Sequence, residues 1–293
     1  MYKLLFYIVF VPISLLPMKL LYLFSDLLCW ILKDVVKYRR DVIWGNLRNA
    51  FPERTEIEIN ELGAKFYRHL SDVFIEAFKM LSLSRKGVMK RYRCKNPELI
   101  DKYYEEGKSV ILISGHYNNW EYMVLSLGMQ FKHHGIGVGK PLSNKGFGKV
   151  LTQFRMRYGT EVIDAGNVRE KFETYEKENR LSVYMMLNDQ SPGDPLKCYW
   201  IKFLNQETGV VYGPEYYARK YNYPVLFYGV NKARRGYYEF EIKPVAITPE
   251  SEEKGVIIEQ STKMLEQLIL QKPEYWLWSH KKWKHKRPQL ITD

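Results

Sequence analysis

Residues 109–121 read SVILISGHYNNWE, and this stretch decides the architecture. A short unbroken apolar run followed at once by Gly115, Asn118 and Asn119 marks a strand buried on both faces that ends in a turn. Working outward, residues 181–187 (LSVYMML) and 224–230 (PVLFYGV) repeat the pattern. Amphipathic stretches near 117–133, 144–158, 167–179 and 212–222 lie between these runs. Strands alternating with helices predict an α/β fold with a mostly parallel central sheet flanked by helices. Residues 237–244 (YYEFEIKP) alternate and predict an antiparallel edge strand, and 254–271 predict a late helix. Before the sheet, 34–50 and 54–82 predict helices, broken at Phe51-Pro52. The second carries Ile57, Ile59, Leu62, Phe66, Leu70, Phe74, Phe78 and Leu81 near helical spacing.

The turn after the first strand holds the sharpest chemistry. His116 and Glu121 are five apart, about 140° around a continuous helix, so they meet only if His116 lies in the turn and Glu121 in the first helical turn. Glu121 could then fix the imidazole tautomer and leave the other nitrogen to take a proton from a hydroxyl. The same residues also fit a capping box, with Asn118 as N-cap and Glu121 at N3, in which case His116 is structural. Asp189 and Gln190 follow the second strand, again at a carboxyl end, where α/β folds place ligand sites. They either orient substrate or form a plain turn.

The 293 residues carry a net charge of +12, with much of the excess at the two ends. Such a balance implies an acidic partner: anionic lipid, phosphorylated substrate, acidic carrier protein or nucleic acid. A 15% aromatic content that includes 23 tyrosines suits a lipid–water boundary. Three widely spaced cysteines, Cys29, Cys94 and Cys198, with no C-x-x-C, offer neither a zinc ribbon nor a redox pair and fit a reducing compartment. His133, His134, His280 and His285 lack partners at metal spacing and read as surface or structural, so no metal is expected. There is no Walker loop and no Gly-x-Ser-x-Gly elbow, which points away from nucleotide chemistry and from an acyl-enzyme serine.

Residues 4–18 are uncharged, and 20–32 form a second apolar run, divided from the first by Lys19. Neither reaches the roughly 20 residues of a spanning helix. A single tilted span or a hairpin in one leaflet is favoured over a hydrophobic helix tucked under the domain. Pro12 and Pro17 would kink the segment, and Lys33, Lys37, Arg39 and Arg40 follow on the anionic, cytoplasmic side. The basic tail, with Lys281, Lys282, Lys284, Lys286 and Arg287 among Trp276, Trp278 and Trp283, is read as meeting lipid phosphates, acidic sugars or a carrier protein rather than nucleic acid.

Residues 114–121 (SGHYNNWE) resemble the catalytic block of the lipid A late acyltransferases, the lauroyl- and myristoyl-transferase group of the lysophospholipid acyltransferase superfamily. Tyr38-Arg39-Arg40, Asn46-Leu47 and Phe51-Pro52-Glu53 resemble that family's early signature, and Arg155-Met156-Arg157 its arginine region. Asp189-Gln190 resembles its Asp-Gln turn, and residues 273–288 (PEYWLWSHKKWKHKRP) its closing motif. Asn118 departs from the usual Gly, but Asn tolerates positive φ next best.

The resemblance implies a fatty acyl transfer from an acyl carrier protein or coenzyme A thioester to a hydroxyl of a lipid A precursor. In that reading His116 and Glu121 are catalytic, with Glu121 orienting His116. Arg155, Arg157, Asn119, Asp189 and Gln190 bind substrate, and no cofactor is needed beyond the acyl donor. The expected organisation is a membrane anchor over 1–33 and a single α/β acyltransferase domain over 34–293, whose 34–85 part is helical. The expected partners are acyl carrier protein, a membrane glycolipid and an anionic membrane surface at the cytoplasmic face of the inner membrane, and no nucleic acid. The alternatives are O- or N-acylation of another lysophospholipid, glycolipid or aminolipid, hydrolysis of the same acyl group, and a non-catalytic membrane-binding protein.

Overall fold

In the computed structural model, residues 6–140 and 144–288 are described. A π-helical turn at Phe6–Phe10 leads into α1 (Val11–Leu15) and α2 (Met18–Trp30), which a second π-turn prolongs to Val35. Two helices follow, α3 (Arg40–Ala50) and α4 (Glu56–Lys79), then α5 (Arg85–Arg91), β1 (Tyr92–Cys94) and α6 (Glu98–Glu105). The α/β core continues with β2 (Val110–Ser114), α7 (Trp120–Gln130), β3 (His134–Gly139), α8 (Lys145–Arg155), β4 (Glu161–Asp164), α9 (Val168–Lys177) and β5 (Ser182–Leu187). A hairpin of β6 (Tyr199–Phe203) and β7 (Gln206–Val210) precedes α10 (Gly213–Tyr221), β8 (Val225–Arg234), β9 (Tyr237–Ala246) and α11 (Val256–Gln271).

The seven-stranded sheet runs β1-β9-β8-β2-β5-β3-β4, and every neighbouring pair is parallel except β8–β9. All five residues of β2 are buried, because strands pair on both edges and helices cover both faces. β9 is antiparallel as its alternation predicts, but β1 pairs along its outer side, so it is not an edge. Three residues of β1 are too few to show a period. The glycines of β3 and the four residues of β4 likewise hide those strands in the sequence.

α4 begins where Thr55 and Glu58 form a capping box: Thr55 Oγ1 accepts from Glu58 N, and Glu58 Oε2 accepts from Thr55 N at 2.8 Å. Ile59, Leu62, Phe66, Leu70 and Val73 make its buried face. Ile57 and Phe74, counted with that face by spacing, are 73% and 36% exposed.

The apolar N-terminal segment is bent. Residues 1–5 lie outside the described residues, and among the rest no single helix is long and apolar enough to cross a membrane. The segments Ile8–Leu15 and Met18–Val35 meet at a 119° bend around Pro17. One side of α2 is fastened to α4: Ser25 donates to Asp72 at 2.8 Å, and Tyr22 donates to Glu76 at 2.8 Å. Lys79 Nζ donates to the carbonyls of Ser14 and Leu16, satisfying the end of α1.

Candidate active site

Parallel pairing aligns Val110 with Val183 and Ser114 with Leu187. The two strands therefore end side by side, and the residues two positions beyond each end, His116 and Asp189, come opposite one another. His116 Nδ1 lies 2.6 Å from Asp189 Oδ1, and the His116 backbone N–H donates to Asp189 Oδ2 at 2.7 Å. Trp276 Nε1 adds a third contact, donating to Oδ2 at 2.8 Å. Burial opposes ionisation of Asp189, but the facing imidazole and these hydrogen bonds overcome it and hold the pKa at about 2. An ionised Asp189 fixes the proton on Nδ1 and leaves Nε2 as the basic nitrogen. Gln190 Nε2 stands 3.3 Å from that atom, and the Trp120 ring meets the imidazole edge-on at 5.4 Å.

This corrects the expected pairing. Glu121 does lie in the first turn of α7 and His116 in the preceding turn, yet the imidazole is held by Asp189 and both Glu121 oxygens are taken by Arg155. The fork is bidentate, Nε to Oε2 at 2.8 Å and Nη2 to Oε1 at 2.5 Å. Burial disfavours the Arg155 charge, but Glu121 outweighs it and raises the pKa. Glu121 thus holds Arg155 beside the turn that carries His116, and Asp189 rather than Glu121 bonds the imidazole. Arg157 turns elsewhere and donates to the Leu81 carbonyl at 2.8 Å.

The turn itself follows from its residues. Asn118 has φ 57°, the left-handed conformation that Asn adopts most readily after Gly, and its side chain donates to Val230 O at 2.8 Å. The N-cap of α7 is Asn119, not Asn118: its Oδ1 accepts from Tyr122 N, while its Nδ2 donates to buried Glu76 at 2.7 Å. Asn119 therefore shapes the turn from below. A Cβ at Gly115 would sit 2.6 Å from Leu265 Cδ2 and 2.9 Å from Asp189 Oδ2, so only Gly lets Asp189 approach.

The closing motif supplies a scaffold that sequence reasoning placed on the surface. Trp276 and Trp278 are buried, and so is Lys282, whose Nζ donates to the carbonyls of Gln190 at 3.1 Å and Gly209 at 3.0 Å. His280 Nε2 accepts from Ser191 N at 3.0 Å, and burial pushes its pKa down to about 4, keeping it a neutral acceptor. The early signature grips the same segment. Arg39 donates to Ser279 O and Asn46 to the carbonyls of Trp278 and His280, while Phe51 packs on Trp278 at 5.7 Å. The closing motif thus clamps the loop that carries Asp189 and Gln190, and the early signature holds the closing motif in place.

Burial pushes Lys282 down to about 8, against the pull of Asp189 and Cys198. Between about pH 8 and the ordinary lysine value the unfolded chain holds more protons, so stability rises with pH there, by up to roughly 3 kcal/mol. Lys282→Met is expected to flatten that rise and to loosen the Asp189-Gln190 loop. Denaturant midpoints for both proteins between pH 7.5 and 10.5 test this, and parallel curves would show that Lys282 titrates normally.

An imidazole tethered to a buried carboxylate, with its second nitrogen at the carboxyl end of a parallel sheet, is an arrangement that can take a proton from a hydroxyl, as group-transfer enzymes require. Over residues 1–285 the chain matches the bacterial lipid A biosynthesis acyltransferase family, and it belongs to that family. It is therefore an acyltransferase acting on lipid A-like acceptors. No curated protein matches the chain.

Proposed function

We propose that this enzyme transfers a fatty acyl group from a carrier-protein or coenzyme A thioester to a hydroxyl of a membrane-held lipid A precursor. The observation that carries this reading is the register that puts Asp189 on Nδ1 of His116 and leaves Nε2 for the acceptor. Nε2 takes the acceptor proton as the oxygen attacks the thioester carbon, and the imidazolium is stabilised by ionised Asp189. Collapse of the tetrahedral intermediate expels the thiolate, which recovers the proton. Gln190 steadies the acceptor hydroxyl, and Arg155, fixed by Glu121, offers positive charge to the oxyanion. No cofactor is required. The test is purified protein with acyl carrier thioester and a tetra-acylated disaccharide. Mass gain of one acyl chain is expected, whereas free fatty acid alone would indicate hydrolysis.

We further propose that α2 seats the enzyme on the cytoplasmic face of the inner membrane. Leu20, Leu23, Phe24, Leu27 and Trp30 recur at helical spacing and are 46–65% exposed, while the opposite side of α2 is fastened to α4. Lys33, Lys37 and Arg40 follow, suited to anionic headgroups. An in-plane helix of this kind accounts for the bend without a span. Because Tyr22 and Ser25 bond into the fold, removing the segment would damage it, and Leu23→Asp/Leu27→Asp is the cleaner variant. Two buried leucines are worth enough for at least a roughly tenfold loss of binding to anionic vesicles. Unchanged co-sedimentation would remove this reading.

A further inference from the structure

Next to the catalytic turn, at the carboxyl end of β8, lies a cavity of about 250 Å³ that the acyl-transfer chemistry does not use. Its inner wall is His69 from α4 and Tyr275, whose rings meet at 4.7 Å. The Tyr275 carbonyl accepts from Asn118 N at 2.9 Å, so this wall is bonded directly to the turn that carries His116. The neighbouring residue, Trp276, is the one that holds Asp189.

The charges around the cavity are unequal. Lys65, Arg68, Lys232 and Arg235 face two carboxylates, Asp72 and Glu274. Asp72 is already committed, to Lys232 at 3.2 Å, to Arg235 at 2.6 Å and to Ser25 at 2.8 Å. Lys65 and Arg68, one turn apart on the exposed side of α4, have no ion-pair partner among the described residues. Like charges left together at a cavity mouth repel each other unless an anion joins them.

The second observation is His69. It is 4% exposed, and neither ring nitrogen makes a well-formed hydrogen bond. Burial and the Lys232 charge keep the ring neutral, against the pull of the adjacent Asn118 backbone. A buried imidazole without a well-formed hydrogen bond costs free energy unless a ligand supplies one. A tetrahedral oxyanion supplies acceptors to an N–H of His69, to the Arg68 fork and to the Lys65 ammonium at once. A groove of about 460 Å³ between α2 and α4, lined by Cys29, Lys33 and Glu61, shares Lys65 and Arg68 with the cavity.

We infer that this cavity is a binding site for a phosphate monoester dianion, and that the phosphate belongs to the headgroup of the acceptor lipid. The site inference stands on the cavity, while its assignment to the acceptor rests on the function proposed above. A headgroup anchored here would sit against the Tyr275 wall that is bonded to the turn carrying His116.

The test uses the full-length protein labelled with ¹⁵N-histidine and titrated with inorganic phosphate, with chloride at matched ionic strength as control. Saturable movement of the His69 ring signals is expected. It should weaken about tenfold or more in Lys65→Gln/Arg68→Gln, whose exposed positions do not threaten the fold. A stationary His69, or equal affinity in the variant, overturns the site. Kinetics with the lipid acceptor before and after phosphatase treatment identify the source. For headgroup binding, KM rises about tenfold or more in the variant on the phosphorylated acceptor, and the two proteins converge once the phosphate is removed. If inorganic phosphate instead changes the rate on both acceptors by one factor, the site holds free phosphate and its assignment to the acceptor is overturned. Failure of acyl transfer to every lipid acceptor would sink the proposed function while leaving the His69 titration intact.

Discussion

His116→Ala is expected to reduce acyl transfer by about 100- to 10,000-fold, the contribution usual for a positioned general base. The loss should fall on kcat, because in the proposed mechanism the imidazole acts on the proton that moves in the transition state and contributes little to holding the lipid. The fold should survive. His116 lies beyond the end of β2, and the hydrogen bond to Asp189 Oδ2 comes from its backbone, which the substitution keeps. Trp276 still donates to the same oxygen. Asp189 loses only the imidazole partner, so it remains solvated by two donors in a pocket opened by the missing ring. Single-turnover acyl transfer, with thermal unfolding of the same preparation, separates the two effects. A variant that unfolds at the wild-type temperature and still transfers acyl groups at the wild-type rate would remove His116 from the mechanism.

The sheet was legible because β2, β5 and the first half of β8 are short apolar runs, and burial on both faces writes that pattern directly into the sequence. β1, β4 and the glycine-bearing β3 were not legible, since their pairing comes from neighbours rather than from their own periodicity. The site shows the same division. His116 and the positive φ of Asn118 follow from local residue chemistry. The partner of His116 depends on which strand lies beside β2, and a linear reading favours the acid five residues away over the one 73 residues away. Lys282 misled for a related reason. Amid Lys281, Lys284 and Lys286 its charge looks like part of a solvated tail, and only the tertiary structure shows its ammonium folded in against two loop carbonyls.

The division of labour between the two acids gives the sharper experiment. Asp189→Asn keeps the volume but reverses the chemistry: an amide NH₂ directed at Nδ1 favours the tautomer with its proton on Nε2, the atom that must be basic. In a comparable carboxylate–imidazole arrangement this exchange costs about 10,000-fold in kcat, and a loss of roughly 1,000-fold or more is expected here. Asp189 also accepts from the His116 and Trp276 N–H groups, so a neutral amide weakens those bonds too. Glu121→Gln acts at a distance from the imidazole. It halves the Arg155 fork, leaving one charged hydrogen bond in place of an ion pair. The expected loss is about 10- to 100-fold, in line with one charged interaction of 1.5–3 kcal/mol. If Glu121→Gln cost roughly 1,000-fold or more and Asp189→Asn cost little, the strand register would be positioning a structural contact, and the acid that serves His116 would be Glu121 after all.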